Sequence, residues 1–535
     1  MNNTVFFSVM AVFIAATLFL GWYGYRNTKD NDSFLLGRQK TNPMIIALSY
    51  GAAFLSASAI VGFGGQAATY GMSLMWLVFL NLFMGLVVAF LVFGKRTRRL
   101  GRKEGAFTFS DFLGKRFRSP AIRSFSAVII LVGMPVYCAA VLLGGVNFIS
   151  TSAGLDKNLV LLVLSLVVAV YVTYGGIIAV MYNDALQAGV MFLGMAVILV
   201  FTYSALGGVT AAHEGLTGLW DTALAEFPKA LALESNGMNG WTSFSSLGSN
   251  IWLTVVTTFL LGVGIGALTQ PQLVVRFMSA KSDRDLNRSL IIGSIFMIVI
   301  VGTAYTVGAL SNLYYYETYG TIPSLMGYNV DQLIPMFVTD LFSGVTFGDV
   351  FVSMFVLAIV CASISTMSAL LHTMGVSGGY DLRTVYAQRR GLSDIEKQPS
   401  LRYNRIWTIL MMVVVVILAY VMPNNIIAKA TSIFMGFTAA TLLVSYAYSL
   451  YSERPDKRAA FISITAGGAV WVVWGLLFCS SITNVLGYSS LIAGSSWALV
   501  DPLILALPAS LLALVATLWL APHRDPGDPT TGEAA

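Results

Sequence analysis

The most prominent pattern along the chain is a series of long apolar runs separated by polar segments. The runs are continuous, without the period-two alternation that is typical of membrane β-barrel strands. About thirteen of them reach the ~20 apolar residues that a helix needs to cross a bilayer. The pattern therefore predicts an all-α polytopic membrane protein. The predicted spans are residues 5–25, 43–70, 73–93, 121–152, 158–174, 177–207, 249–275, 288–314, 348–377, 402–422, 425–450, 458–481 and 499–522.

Composition agrees with this class. The 535 residues are 57% hydrophobic and only 10% charged, whereas soluble domains carry about 25% charged residues. A soluble surface of this size needs more charge, so we exclude a soluble enzyme and a nucleic-acid-binding protein and expect a lipid bilayer as partner. The three histidines and three cysteines are scattered, which argues against a metal or catalytic site. We predict one transmembrane domain, residues 1–522, followed by a disordered tail, 523–535.

The basic residues predict the orientation of the spans. With the N-terminus outside, all of the 31 lysines and arginines except Lys157, Lys229 and Lys429 fall on inner loops or adjoining helix ends, including the loop that begins at Arg276. Cytoplasmic loops of membrane proteins are rich in lysine and arginine. We therefore predict a multi-pass protein of the cytoplasmic membrane with its N-terminus outside and its C-terminus inside. The cluster KRTRRLGRK (95–103) is then a cytoplasmic loop beside anionic lipid, not a nucleic-acid patch.

Two of the predicted spans should be interrupted. Span 43–70 is too long for a straight crossing and is rich in glycine, and span 249–275 ends in a glycine series and a Gln-Pro pair. Glycine and proline weaken a helix by about 1 and 3 kcal/mol, and unwound backbone persists at membrane depth only where it lines a cavity. Each interrupted span begins a five-helix unit, residues 43–207 and 249–450, so the second unit enters the membrane upside down. Paired interruptions in an inverted repeat are typical of the substrate and ion site of a secondary transporter; alternatively, the glycines only allow close helix packing.

A group of oxygen-bearing residues lies in span 348–377. Ala362, Ser365 and Thr366 share one helix face because they are spaced by three and four residues. Hard cations bind oxygen ligands, and no carboxylate is predicted near mid-membrane, which favours a monovalent ion held by neutral oxygens over a proton relay. Alternatively, the hydroxyls bond only to their own helix backbone. Asp184, near the membrane edge, either stabilises the positive end of its helix or lies on the exit path of a cation.

Several motifs resemble those of one transporter family. In chain order they are FLSASAIVGFGG (54–65), FTFSDFLGKRF (107–117), YGGIIAVMYNDALQ (174–187), QPQLVVRFMSAKS (270–282) and ASIST (362–366), which lies fifteen residues before Asp381. Together they resemble the sodium/solute symporter family, which includes the bacterial sodium/proline and sodium/galactose symporters and the animal sodium/glucose carriers. The resemblance covers nearly the whole chain. It implies a LeuT-like core of five plus five helices in an inverted repeat, with one leading and two trailing helices.

The resemblance also implies roles for individual residues. Sodium is expected as the coupling ion, bound by backbone carbonyls and two hydroxyl groups, and an aspartate is expected on the ion exit path. Two substrate candidates match positions of the sugar and proline carriers, and three more are polar residues of the interrupted span 43–70. The expected sodium ligands are Ala52, Leu55, Ala362, Ser365 and Thr366; the exit-path residue is Asp184; the substrate candidates are Ser56, Ser58, Gln66, Tyr137 and Gln270.

Four positions depart from the family pattern and narrow the range of expected substrates. Phe54 and Ser58 stand where the proline carrier has an aspartate and a tryptophan, which argues against proline. Ala59 and Val78 stand where the sugar carriers have glutamine and glutamate. A polyhydroxylated ligand needs convergent hydrogen-bond partners, so we do not expect a sugar. We predict a sodium-coupled symporter that imports a small monocarboxylate or an apolar amino acid by alternating access.

Two rival functions share this predicted fold. A proton-coupled solute carrier differs only in its coupling ion. A transporter-like solute sensor is less favoured, because no output domain follows the last span. An enzyme is not expected, because the spans contain no zinc motif, no paired carboxylates and no Ser/His arrangement. The sequence leaves the identity of the solute, the sodium stoichiometry and the oligomeric state open.

Overall fold

The structure, a computed structural model, describes residues 3–37, 41–392, 400–423 and 426–520. The described residues are largely helical, and they include an isolated parallel β-bridge that joins Thr41 to Ala280. Eleven helical segments of this part of the chain are long and apolar enough to cross a membrane. The all-α membrane class is therefore confirmed. The tail predicted at 523–535 lies outside the described residues.

The first half of the chain contains the leading helix and the first interrupted span. Wider helical turns at Ser58–Gly62 and Phe83–Gly94 run directly into α4 and α6. In chain order the helices are α1 (Asn3–Asn27), α2 (Asn31–Leu36), α3 (Pro43–Phe54), α4 (Phe63–Tyr70), α5 (Met75–Leu82), α6 (Lys95–Lys103), α7 (Phe109–Arg116), α8 (Pro120–Ala153), α9 (Lys157–Ala205), α10 (Val209–Glu226) and α11 (Pro228–Ser235).

The second half begins with the second interrupted span. Wider turns again join neighbouring helices into longer rods, at Thr254–Leu261, Ile298–Gly302, Ser377–Leu382 and Ala439–Leu443. In chain order the helices are α12 (Asn250–Leu253), α13 (Gly262–Gly266), α14 (Pro271–Ser279), α15 (Asp283–Met297), α16 (Thr303–Tyr319), α17 (Val330–Leu341), α18 (Gly348–Val376), α19 (Arg383–Arg389), α20 (Leu401–Val421), α21 (Ile427–Thr438), α22 (Val444–Tyr451), α23 (Lys457–Leu477), α24 (Ser480–Thr483) and α25 (Leu503–Leu520).

Two of the eleven long segments each extend over parts of two predicted spans. Segment Lys157–Ala205 is broken at Gly176, where φ is 57° and ψ is −155°. A side chain there would clash, since an added Cβ would lie 2.6 Å from the Phe34 ring. Segment Ser58–Lys103 turns at Gly71, where φ is 65°. Both breaks fall at predicted boundaries between spans, while the count of thirteen and the inverted repeat stay predictions.

Both spans predicted to be interrupted are interrupted in the structure. The first stops as α3 ends at Phe54; Leu55 has a non-helical backbone (φ −91°, ψ 83°), and helical structure resumes at Ser58. In the second, Gln270 is extended (φ −69°, ψ 114°) and Pro271 begins α14. Proline lacks an N–H and disfavours helical backbone in the residue before it, which explains the second interruption. A helix end also leaves its last carbonyl groups without partners inside the helix.

Helix α18 lies at the centre of the packed helices. Its segment, Gly348–Arg389, is 83% buried over a membrane-length window, the highest share among the eleven candidate spans. Glycines let two neighbours approach it closely. An added Cβ at Gly145 of α8 would lie 2.5 Å from the Ser363 hydroxyl, and one at Gly194 of α9 would lie 2.8 Å from Ala358. The polar face of α18 is therefore enclosed by protein.

Helices α2, α10, α11 and α17 lie in segments that the sequence analysis treated as loops. Helix α17 shows why they matter, because its Leu333, Ile334 and Phe337 are buried against the membrane-spanning helices. These helices are too short or too polar to be recognised as spans. Even so, α17 packs against α8 and α4.

Candidate functional site

The first interruption exposes a backbone carbonyl to a facing pair of hydroxyl groups. Because α3 ends at Phe54, the carbonyl of Ala52 is one of those left without a partner in the helix. The Ser365 hydroxyl donates a hydrogen bond to this carbonyl at 2.9 Å, and the Thr366 hydroxyl donates to it at 3.1 Å. All three residues are fully buried. Three of the five expected sodium ligands therefore meet at one point.

The other two expected ligands lie close by but are engaged differently. The Ser365 hydroxyl also lies 3.2 Å from the carbonyl of Ala362, one turn earlier in its own helix. This is the back-bonding that the sequence analysis weighed as the alternative, and the bond to Ala52 exists beside it. Leu55 lies at the interruption, one turn beyond Ala52, and its side chain is buried. Among the described residues, its carbonyl accepts no bond from this hydroxyl pair. The set as a whole is uncharged and consists of oxygen atoms, which fits a monovalent hard cation.

Asp184 lies in a buried ion pair one turn away from these oxygens. Arg276 Nη2 lies 2.7 Å from Asp184 Oδ2, and the Ser49 hydroxyl donates to the same oxygen at 2.7 Å. Arg276 Nε donates to Ser49 at 2.8 Å, and Ser368 Oγ lies 3.5 Å from Asp184 Oδ1. Ser49 precedes Ala52 by three residues on α3, and Ser368 follows Ser365 by three on α18. The same two helix faces therefore carry both the hydroxyl pair and the ion pair.

This arrangement corrects the sequence analysis on two points. The distribution of basic residues predicts that Arg276 lies in an inner loop, but its side chain is only 1% exposed. Asp184 lies eight residues beyond the break at Gly176, whereas a helix end favours a carboxylate only within its first turn. Stabilisation of the helix end therefore does not explain Asp184. The clue to Arg276 in the sequence is that it is the first basic residue after a long uncharged run.

Ser56 and Ser58 organise the point where the first interrupted helix resumes. The Ser56 hydroxyl accepts a hydrogen bond from the backbone N–H of Ser58 at 3.1 Å. The Ser58 hydroxyl donates to the carbonyl of Ile427 at 3.0 Å and lies 2.5 Å from the Thr431 hydroxyl. Both serines are buried. Ser58 therefore joins the interruption to helix α21.

Two other substrate candidates contact the same helix. The Gln270 amide donates to the Thr438 hydroxyl at 2.7 Å. The Tyr137 ring stacks on Phe434 with ring centroids 5.7 Å apart, and its buried hydroxyl has no hydrogen-bond partner among the described residues. Gln66, on α4, is buried but lies two turns beyond Ser58, and the structure records no bond from it to the other candidates. Ser58, Tyr137 and Gln270 therefore all contact helix α21.

Helix α21 therefore has a contact face that the sequence pattern does not predict. Thr431, Phe434 and Thr438 are spaced by three and four residues, so they share one face of α21. Each of them contacts a different substrate candidate. The spacing was visible in the sequence, but Thr and Phe at helical spacing are ordinary in a packed membrane helix. Only the contacts single out this face.

A second buried charge cluster lies where α7, α8 and the end of the α18 segment meet. Arg123 pairs with Asp111 through Nη1 at 3.0 Å and with Asp381 through Nε at 3.0 Å. The Thr108 hydroxyl donates to Asp381 at 2.8 Å, and Lys115 Nζ lies 3.0 Å from Asp111. Both aspartates are fully buried. The motif FTFSDFLGKRF and Asp381, which had no assigned role, therefore belong to one cluster.

Comparison with known proteins begins with sequence relatives. The sequence profile described as "Sodium:solute symporter family" matches residues 34–467. Curated relatives include the osmoregulated proline transporter OpuE and the high-affinity proline transporter PutP, both of Bacillus subtilis, and sodium/proline symporter 2 of Staphylococcus saprophyticus. They are 25%, 26% and 25% identical to this chain over 493, 461 and 495 residues. The alignments cover 91%, 85% and 91% of this chain and 92%, 89% and 89% of the relatives.

A solved structure has the same fold. The outward-open, substrate-bound state of a sodium-coupled sialic acid symporter superposes with a TM-score of 0.71, over 96% of this chain and 97% of that one. At 17% identity this likeness shows the fold alone. The family match confirms the predicted resemblance and, with it, sodium as the coupling ion. With the profile matched over most of its length, this membrane-spanning chain belongs to the sodium:solute symporter family.

Proposed function

We propose that the protein imports a small monocarboxylate or an apolar amino acid together with sodium, by alternating access across the cytoplasmic membrane. The observation that supports the ion site is the pair of hydroxyl groups on the Ala52 carbonyl. These oxygens come from α3 and α18, which belong to different predicted five-helix units. A cation held between them ties together two parts that alternating access moves relative to each other.

In this proposal sodium binds at Ala52, Leu55, Ala362, Ser365 and Thr366. The hydroxyl hydrogens that now point at the Ala52 carbonyl turn away, so that oxygen lone pairs face the ion. Release to the inside then passes Asp184 of α9, which contacts Ser49 and Ser368, one turn further along the same faces of α3 and α18. One sodium ion moving through 100 mV supplies about 2.3 kcal/mol, which supports a roughly 50-fold solute gradient.

The solute is proposed to bind beside the two interruptions, among Ser56, Ser58, Gln66, Tyr137 and Gln270. Phe54, Ala59 and Val78 are buried and apolar, so they offer no hydrogen bonds to a sugar. Helices that resume after an interruption present free N–H groups and a partial positive charge, which suits a carboxylate. A solute with one carboxylate and an apolar body fits both conditions.

Proline is the second candidate, because the three curated relatives described above are named for proline transport. Proline also has one carboxylate and an apolar body. Phe54 and Ser58, which replace the aspartate and tryptophan of the proline carrier, argue against it. The test must therefore include proline beside the proposed substrates.

Uptake by purified protein in liposomes tests the coupling ion and the solute together. With an inside-negative potential and external sodium, we expect at least tenfold accumulation of a small monocarboxylate or of alanine, valine or leucine. Replacing sodium with choline should abolish it, and glucose should not accumulate. Accumulation of proline or glucose alone would contradict the proposed substrate but not sodium coupling. Equal uptake in choline would contradict the coupling.

Substitutions at the hydroxyl pair test the ion site. We expect Ser365→Ala and Thr366→Ala each to raise the sodium concentration for half-maximal uptake about tenfold or more, because each removes one oxygen ligand worth about 1.4 kcal/mol. Ser363→Ala is the matched control, since its buried hydroxyl lies on the same helix but donates to Val141 of α8 at 3.0 Å. The site assignment is wrong if the two variants respond to sodium as the control does.

A further inference from the structure

A groove with aromatic walls runs along the outer surface of the helix bundle, between α1 and the first part of α9. Its volume is about 300 Å³, and Leu18, Trp22, Tyr25, Val170 and Tyr174 are among the residues that line it. The rings of Trp22, Tyr25 and Tyr174 are about half exposed, at 48%, 51% and 49%. The groove is therefore open to whatever surrounds the protein at this depth, which in a membrane is lipid.

Glycines explain why a groove forms at this place. An added Cβ at Gly21 would lie 2.7 Å from Tyr171 Cβ, and one at Gly24 would lie 2.5 Å from Ala179 Cβ. Helix α1 therefore packs closely against α9 along the line of Gly21 and Gly24, where α1 has no side chains. The aromatic rings of Trp22, Tyr25 and Tyr174 beside this line of contact form the walls of the groove. Tyr25 and Tyr174 meet edge to face with centroids 6.4 Å apart.

Two guanidinium groups flank the groove. Arg26 lies over the Trp22 ring at 4.5 Å, and Arg405 of α20 lies over the Tyr174 ring at 5.4 Å. Within the described part of the chain neither forms an ion pair with a carboxylate, unlike Arg123, which does so at 3.0 Å. Both are therefore uncompensated positive charges beside an apolar groove.

Arg405 is also held in place by the backbone. Its Nε donates to the carbonyl of Thr173 at 3.2 Å, and its Nη2 lies 3.5 Å from the carbonyl of Tyr174. These carbonyls lie just before the break at Gly176 and are among those that the break leaves without helical partners. The guanidinium is thus fixed beside the groove, and its Nη1 remains available to an anion.

We propose that this groove is a binding site for one anionic phospholipid. Its phosphate lies at Arg26 and Arg405, and an acyl chain runs along the aromatic walls. The apolar groove accounts for the chain, and the two unpaired guanidinium groups account for the preference for an anionic over a zwitterionic headgroup. The site lies at the end of α1 that the basic loops predict to face the cytoplasm, where anionic lipid is abundant.

Native mass spectrometry of the full chain with phosphatidylglycerol or phosphatidylcholine tests this proposal. We expect one saturable phosphatidylglycerol per chain. Each basic residue near an anionic surface contributes about a fivefold factor in affinity, so Arg26→Gln with Arg405→Gln should weaken binding roughly 25-fold. Arg402→Gln, an exposed arginine on the same helix, should change it less than twofold. An equal loss in Arg402→Gln, or no loss in the double variant, overturns the proposal.

Two further measurements use the single variant Arg26→Gln and inorganic phosphate. Because Arg405 also bonds to the backbone, Arg26→Gln alone is the variant that leaves the fold undisturbed, and it should weaken binding about fivefold. Unchanged binding in this variant overturns the proposed headgroup contact. Inorganic phosphate at millimolar concentration should leave the thermal stability of the protein unchanged, whereas phosphatidylglycerol should raise it. Equal stabilisation by free phosphate would mean that the site takes phosphate and not lipid.

Discussion

Asp184→Asn should destabilise the folded protein by about 3–5 kcal/mol, because it leaves the Arg276 guanidinium charged and without its partner in the protein interior. Asp184 is fully buried and Arg276 is 1% exposed, and the two side chains meet at 2.7 Å. Ser49 bonds to both of them and cannot replace the lost negative charge. Thermal unfolding in detergent, followed by the fraction that remains monodisperse, measures the effect.

A double variant distinguishes the effect of the unpaired charge on stability from the effect of altered packing. Asp184→Asn with Arg276→Gln removes both charges, so we expect it to recover at least half of the lost stability. Arg99→Gln is the control, because Arg99 pairs with Asp283 while its side chain is 67% exposed, and exposed pairs contribute less than about 1 kcal/mol. No gain in the double variant over the single one would contradict the unpaired charge as the cause.

The same double variant tests the proposed exit path. If it folds but no longer accumulates solute, the loss belongs to transport and not to stability, which is the result we expect. Normal uptake by the stable double variant would remove Asp184 from the ion path. The hydroxyl pair one turn away is intact in this variant, so sodium dependence of any remaining uptake should be unchanged.

Arg123→Gln should also cost about 3–5 kcal/mol, for the opposite reason: it leaves two buried carboxylates with too little positive charge. Among the described residues, Asp381 then keeps the hydrogen bond from Thr108, and Asp111 keeps Lys115, whose side chain is one-third exposed, with two uncharged donors, the Phe107 N–H and the Tyr380 hydroxyl. The cluster joins α7 and α8 to the end of the α18 segment. We therefore expect these elements to come apart before the rest of the protein, which hydrogen exchange of residues 107–117 measures.

The control removes the negative charge of Asp381, the ion-pair partner of Arg123, in the same variant. Arg123→Gln with Asp381→Asn leaves the Asp111–Lys115 pair balanced, and we expect it to restore most of the stability. Arg116→Gln provides a comparison. In the described part of the chain Arg116 donates to the carbonyls of Ser449 and Ser452, both at 2.8 Å, and its approach to a carboxylate is a long one, 3.6 Å from Glu104. A loss in Arg116→Gln as large as in Arg123→Gln would mean that hydrogen bonds, not buried charge, hold the cluster together.

Local sequence predicted the interruptions well. The glycine series before Gln270 and Pro271 predicts the second interruption, because glycine weakens a helix and proline restricts the residue before it. The break after Phe54 follows from a span that is too long and rich in small residues. Such signals act within a few residues, although Pro135 and Pro508 lie inside continuous helices and show that a single proline does not suffice.

The ion-pair partner of Arg276 cannot be predicted from local sequence. A count of basic residues assigns each one to a side of the membrane but contains no information about its partner. Arg276 and Asp184 are 92 positions apart in sequence, and their pairing depends on how α14 and α9 both pack against α3 and α18. Helix α21 is a second case, since the residues that contact Ser58, Tyr137 and Gln270 look like ordinary packing residues in the sequence.

The amino-acid sequence alone determined the membrane class, the long apolar helices and the two interruptions, because apolar length and helix propensity are properties of contiguous segments. The resemblance between motifs added the family and the expected sodium ligands. The meeting of Ser365 with Ala52, across 313 positions, and the burial of Asp184 with Arg276 required the folded chain. Such contacts form only when separate helices pack, and packing is decided by the shapes of many side chains together.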